Sequence, residues 1–300
     1  MNWIFLSLIY AVFNAIYTTF NEQHRYNGYV LGIWRGFGVS ILVSPLLWTV
    51  PLINSAPYYI ILILQGIMIG VYDSHIFFAS AKYGSHSCSG FMATCVLITT
   101  FMWWGIDFRE LEDLIKKPHI LISLFLILCG FSVSYWQMMK VKISHRAEEY
   151  LYPAVFALAL MSIATRFIAI HGGGIYTGVI YYLTISCLTS GIYNAIMFLR
   201  NKESPLETKE KMSAKAGPSR KELLLAPLKS GNMVWLIIFS TILITAKTIA
   251  LREAENPAYV IAMLLLSPII IDIFKTNQFP RSPMSLSVII FLGLLLWLVG

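Results

Sequence analysis

Apolar residues run through the chain in long blocks separated by short polar breaks. A helix needs roughly 20 residues to cross the hydrocarbon of a bilayer. On that measure the blocks predict membrane-spanning helices near 2–20, 29–48, 57–82, 87–106, 119–139, 151–171, 174–199, 233–252, 257–274 and 284–299. Several open on a proline, whose missing N–H costs nothing in the first helical turn: Pro57, Pro118, Pro153, Pro257 and Pro283. The breaks are short except for 201–232, where Pro205, Gly217, Pro218 and charges of both signs predict a polar, flexible, partly disordered loop rather than a folded domain. Short loops join antiparallel neighbours, so the expected fold class is all-α, a polytopic membrane helical bundle of about ten transmembrane helices.

The polar stretch from Lys140 to Glu149 divides the spans into two sets of five, residues 1–140 and 150–300. Five is odd, so a second copy of such a unit enters the membrane upside down, and the expected arrangement is two inverted five-helix repeats. The likeness between the sets is faint: Ile98–Phe101 stands where the second set has Leu266–Ile269.

Composition agrees with this reading. Hydrophobic residues make up 57% of the chain and charged residues 12%, with a mean hydropathy of +0.70, which excludes an ordinary soluble domain. The first block follows Met1-Asn2-Trp3 directly, without the basic stretch and cleavage site of a signal peptide, and is expected to be retained as a span. The formal charge is +7. Its basic residues sit in loops between spans and not on one folded face, so no nucleic acid is expected as a partner. Cys88, Cys95, Cys129 and Cys187 all fall in apolar segments and read as small buried side chains, not as a disulfide framework or a zinc site.

Charges inside the apolar blocks change the picture, because each costs about 2.5–3.5 kcal/mol to insert and is accepted where it faces a cavity or a partner. Asp73 and His75 lie in the apolar run Ile67–Gly84. Counted from the break at 49–56, Arg35 lies about 21 Å and Asp73 about 25 Å into the membrane, so they can meet. Two readings stay open: an ion pair that glues spans two and three together, or groups lining a solute path. Gly32-x-x-x-Gly36 and Gly66-x-x-x-Gly70 predict that these two spans approach closely. His75 is about 200° around the helix from Asp73, which disfavours a shared metal, and reads as a packing histidine or a proton relay. Lys247 either snorkels to the surface or points inward at an anionic group. Arg166, near the end of its span, is expected to snorkel, and Asp272 reads as a boundary residue. Asn14, Tyr72, Thr99 and Thr100 add groups that can hydrogen-bond an organic solute. Trp103 and Trp104, at a span end, read as interfacial anchors. The candidate solute-binding set is therefore Asn14, Arg35, Tyr72, Asp73, His75, Thr99, Thr100 and Lys247, with no catalytic residue, metal ligand or cofactor expected.

With the spans placed, the chain resembles the drug/metabolite transporter superfamily in its ten-span, EamA-like form, as a divergent member. The resemblance rests on the early arginine of the second span (Tyr29 to Gly38, with Arg35) and on Phe78-Ala-Ser-Ala-Lys-Tyr83 leading to a fourth span. It rests further on the charged link Asp107-Phe-Arg-Glu110, Leu128-Cys-Gly130, Ala154 to Arg166, and Asn256-Pro-Ala-Tyr-Val260 leading to Ser267-Pro268. The sequence departs from the family pattern at Thr100, where proline is common, and at Asp107 and Asp272. The resemblance implies a carrier in the cell (inner) membrane that moves a small organic metabolite by alternating access. Arg35 and Lys247 together would suit a carboxylate-bearing solute such as an amino acid. The expected partners are that small-molecule solute, the lipid bilayer and, as an open alternative, a second copy of the chain in a homodimer. A membrane-embedded enzyme using Asp73 and His75 on a lipid is the alternative function. It lacks a second nearby carboxylate or an HExxH pair.

Breaks after odd-numbered spans hold fifteen Lys and Arg residues against four after even-numbered spans. By charge, then, the odd breaks lie in the cytoplasm and both termini outside, whereas the resemblance implies termini inside. The charge rule predicts that a cysteine introduced at Ser213 is shielded from an impermeant thiol reagent in intact cells. Its labelling there would reverse the orientation.

Overall fold

A computed structural model describes residues 2–85, 88, 92–142, 145–200, 219–278 and 283–299. The described residues are mostly helical, without a strand. The helices are α1 (Asn2–His24), α2 (Gly28–Val43, continued by a 3-10 turn Ser44–Thr49), α3 (Ala56–Tyr83), α4 (Met92–Ile106), α5 (Phe108–Lys116) and α6 (Pro118–Lys142). They continue with α7 (His145–His171), α8 (Ile175–Arg200, with a π-helical turn Tyr182–Ser186), α9 (Arg220–Lys229), α10 (Asn232–Glu253), α11 (Pro257–Thr276, with a 3-10 turn Met263–Leu266) and α12 (Pro283–Val299). Seven of them, α1, α2 with its 3-10 extension, α3, α7, α8, α10 and α11, are long and apolar enough to cross a membrane. The protein is thus a multi-pass membrane protein. Helices α4, α6 and α12 lie on the other three apolar blocks of the sequence.

Local chemistry sets many of the ends. Asn27 caps α2 by accepting from the backbone N–H of Tyr29 and Val30, and Asn256 caps α11 by accepting from Ala258, ahead of Pro257. Pro153 falls inside α7 instead of at its start, because the polar stretch expected to be a break carries the helix back to His145. Two helices replace expected loops. One is α5, in the charged link after α4. The other is α9, whose start is a capping box: the Glu222 carboxylate accepts from the Ser219 N–H while the Ser219 hydroxyl accepts from Glu222. Trp34 Nε1 donates to the Leu224 carbonyl at 2.9 Å and holds α9 against α2. Ser213 and the rest of 201–218 lie outside the described residues. Cys88, Cys95 and Cys187 are buried as expected, but Cys129 is exposed.

Helix packing follows a regular scheme. α3 packs along α7 and α1 along α10, while α2 meets α8, α4 meets α11 and α6 meets α12. The paired glycines do not join α2 to α3, as their spacing suggested; both pairs receive α8. Gly36 faces the backbone of Gly191 and Cys187, Gly32 takes the Asn194 side chain, Gly66 faces the Ser186 carbonyl and Thr189, and Gly70 takes the Tyr193 ring. The reason is geometric: α8 lies between the two helices, and both need to bring their backbones close to it.

A Cβ at Gly36 would stand 2.5 Å from Gly191 N, an atom of the backbone that cannot step aside. Gly36→Val is predicted to destabilise the protein by about 1–3 kcal/mol. Gly105→Ala, where nothing lies within 4 Å of the added carbon, should leave the melting temperature in detergent unchanged or slightly raised. Equal melting temperatures for the two variants would refute the α2–α8 contact.

Candidate functional site

The bundle interior holds a polar knot, built from four of the spanning helices. α2 supplies Arg35 and α3 supplies Asp73, both almost fully buried. Arg35 Nη1 donates to Asp73 Oδ2, and Tyr17 Oη of α1 donates to Asp73 Oδ1 at 2.7 Å. The Arg35 guanidinium also lies over the Tyr17 ring, 5.6 Å from its centre, within cation–π range. Both carboxylate oxygens are therefore engaged, and the pair is neutral. Arg35 Nε is buried without an acceptor among the described residues.

α10 brings a second cation to the same place. Lys247 is 1% exposed, so it does not snorkel. Its ammonium lies 6.0 Å from the centre of the Tyr10 ring, and Nζ finds no hydrogen-bond partner among the described residues. Lys247 lines a cavity of ≈ 20 Å³ together with Arg35, Asp73, Tyr10, Asn14, Tyr17, Tyr72 and Tyr182, closed on the apolar side by Ile69, Met161, Leu243 and Ile244. That is room for about one or two water molecules.

Supporting contacts fix the walls. Tyr72 Oη donates to Asn14 Oδ1 at 3.4 Å, Asn14 Nδ2 to Ser267 Oγ at 3.3 Å, and Ser267 Oγ to the Ala11 carbonyl at 3.1 Å, which ties α3, α1 and α11 together. Gln65 Nε2 reaches the Met161 carbonyl, Thr165 Oγ1 and Tyr182 Oη, binding α3 to α7 and α8. Tyr182 opens the π-helical turn of α8, which is held from both sides: Ser40 Oγ donates to the Thr184 carbonyl at 2.9 Å, and Ser186 Oγ to the Leu62 carbonyl at 2.8 Å. A π turn re-aims the side chains that follow it, and such turns occur often at functional sites.

Of the eight candidates from the sequence, the structure brings together Asn14, Arg35, Tyr72, Asp73 and Lys247. His75 lies elsewhere: its ring nitrogen Nδ1 is 2.8 Å from the Val71 carbonyl, and the ring packs on Tyr150. Thr99 is buried beside Cys95, and Thr100 Oγ1 donates back to the Val96 carbonyl, so neither lines the cavity. Tyr10, Tyr17 and Tyr182 are cavity residues that the sequence reading missed. The first two had a signal, because Tyr10, Asn14 and Tyr17 recur at the four-and-three spacing of one helix face. Among the described residues, no group of His, Cys, Asp and Glu is placed to hold a metal ion.

A second polar cluster sits where α4, α5, α7, α10 and α11 meet. Arg166 does not snorkel. Nη1 donates to the Leu251 carbonyl at 3.1 Å, and the guanidinium stacks over Trp103, 4.8 Å from the ring centre. Trp103 is likewise no exposed anchor: it is buried and donates to Glu110 Oε2 at 2.7 Å, while Asn256 donates to Glu110 Oε1 at 2.9 Å. Burial pushes the Glu110 carboxyl above its ordinary range, against these two hydrogen bonds, which lower it. On the opposite face, Lys275 bridges Glu22 at 2.7 Å.

Compared with known proteins, the chain matches no family model and no curated sequence.

Removing one partner from a buried ion pair leaves a bare charge and costs about 3–5 kcal/mol. Arg35→Ala is therefore predicted to lower the melting temperature of the detergent-solubilised protein sharply, and adding Asp73→Asn should recover part of that loss. Strictly additive effects in this double-mutant cycle would mean the two side chains do not interact.

Proposed function

We propose that the protein is a carrier that moves a small organic solute across a membrane by alternating access, with the solute held in the polar cavity between the two halves of the chain. The observation that carries this reading is Lys247: a buried side chain on a cavity inside the bundle, whose ammonium has no hydrogen-bond partner among the described residues. A structural lysine would be paired or would reach the surface. One held bare among tyrosines is suited to a ligand.

The helix pairing supports the ten-span, inverted-repeat part of the proposal. Let the ten apolar helices α1–α4, α6–α8 and α10–α12 be spans one to ten. Adding five to each span number then turns the third-with-sixth contact into the eighth-with-first, and leaves second-with-seventh, fourth-with-ninth and fifth-with-tenth unchanged. Such a scheme is expected of two five-helix units related by a two-fold axis. It agrees with the resemblance to drug/metabolite transporters, and helices of both proposed units contribute residues to the cavity wall. The cavity holds only a water or two, so a solute enters when the halves part. That parting is the motion alternating access requires. The solute is of the carboxylate-bearing class, and the membrane is the cell membrane of the resemblance.

Liposomes containing the purified protein, incubated with a metabolite extract and analysed by mass spectrometry, should accumulate one or a few solutes above protein-free liposomes. Lys247→Ala should cut that accumulation at least tenfold while leaving the melting temperature within a few degrees of the parent. No enrichment, or enrichment untouched by the loss of Lys247, would refute the carrier reading.

A further inference from the structure

We infer that the cavity takes an organic monoanion, its carboxylate on Lys247, and rejects the zwitterionic amino acid of the same carbon skeleton. This rests on the carrier reading and narrows its solute class.

The argument is one of charge and hydrogen-bonding capacity. Three side chains able to carry a full charge face the cavity, Arg35, Asp73 and Lys247, and each is taken in its ionised form. Asp73 is matched by Arg35, and each of its oxygens already accepts a hydrogen bond, one from Arg35 and one from Tyr17. The pair is closed, and Lys247 leaves one positive charge over. A bound monoanion brings the cavity to neutrality. A zwitterion leaves the surplus charge in place and adds a second ammonium close to Lys247 and Arg35, where like charges repel.

The hydrogen-bonding groups point the same way. Lys247 Nζ offers three donors and uses none among the described residues, and Arg35 Nε is a further buried donor without an acceptor. The hydroxyls of Tyr17 and Tyr72 already donate to Asp73 and Asn14, and that of Tyr10 is a further polar group on the wall. The strongest acceptors an ammonium could use are already engaged, each Asp73 oxygen as above and Asn14 Oδ1 by Tyr72. Donors without acceptors, in a buried site with room for only a water or two, describe a receptor for an oxyanion. Burying an ammonium there without a carboxylate to match it would also carry a desolvation cost.

The test uses three pairs that differ only in 2-oxo against 2-amino at the same skeleton and that span a range of size: glyoxylate and glycine, 2-oxoisovalerate and valine, phenylpyruvate and phenylalanine. Binding is read by the thermal shift of the full-length protein in detergent, and transport by uptake of the radiolabelled compounds into liposomes. In at least one pair the oxo acid should bind tenfold or more tightly than its amino acid. Lys247→Ala should abolish that binding, and Lys247→Arg should retain it. Tighter or equal binding of the amino acids overturns the inference, as does binding of neither class. If the amino acids bind and are taken up, the carrier reading stands and the monoanion reading falls. If the oxo acids bind through Lys247 but never accumulate in liposomes, the anion site stands and the carrier reading falls.

Discussion

The ion pair between Arg35 and Asp73 is the contact around which the interior is organised. Each charge alone would be expelled from an apolar bundle, so α2 and α3 are held at the one register that lets guanidinium and carboxylate meet. Tyr17 extends the constraint to α1 by taking the second carboxylate oxygen. Three helices are thereby fixed at the same depth, and the remaining polar groups of the cavity take their places around a neutral centre.

That neutrality bears on the two roles open to the pair, glue or solute path. By satisfying each other, Arg35 and Asp73 act as structure. By doing so at the cavity wall they remove the negative charge that would otherwise have paired with Lys247. Structural pairing of two groups is what leaves the third available.

The positions of the helices and several of their caps were legible in the sequence, because the hydrocarbon imposes its own length on any apolar block and proline and asparagine mark the starts. The meeting of Arg35 with Asp73 was legible too, since depth along two antiparallel helices follows from counting residues. Other features depended on which neighbour a face meets, which counting does not reveal. The glycines of α2 and α3 announced close packing but not that α8 was the partner. Tyr182 enters the cavity through a π turn that no residue pattern marked, and Arg166 turned inward because Trp103 and the Leu251 carbonyl offered it a site. The amphipathic α5 and the capped α9 were hidden for a different reason: short charged segments read as loops unless their cap residues and periodicity are weighed separately from hydropathy.

The seating of α8 has a mechanical consequence. Gly32, Gly36, Gly66 and Gly70 form notches one helical turn apart, and Asn194, Thr189 and Tyr193 project into them as teeth. A toothed rod of this kind has no intermediate resting points. Any slide of α8 along α2 and α3 would lift these side chains from their notches together. The seating therefore resists gradual creep of α8 along that axis.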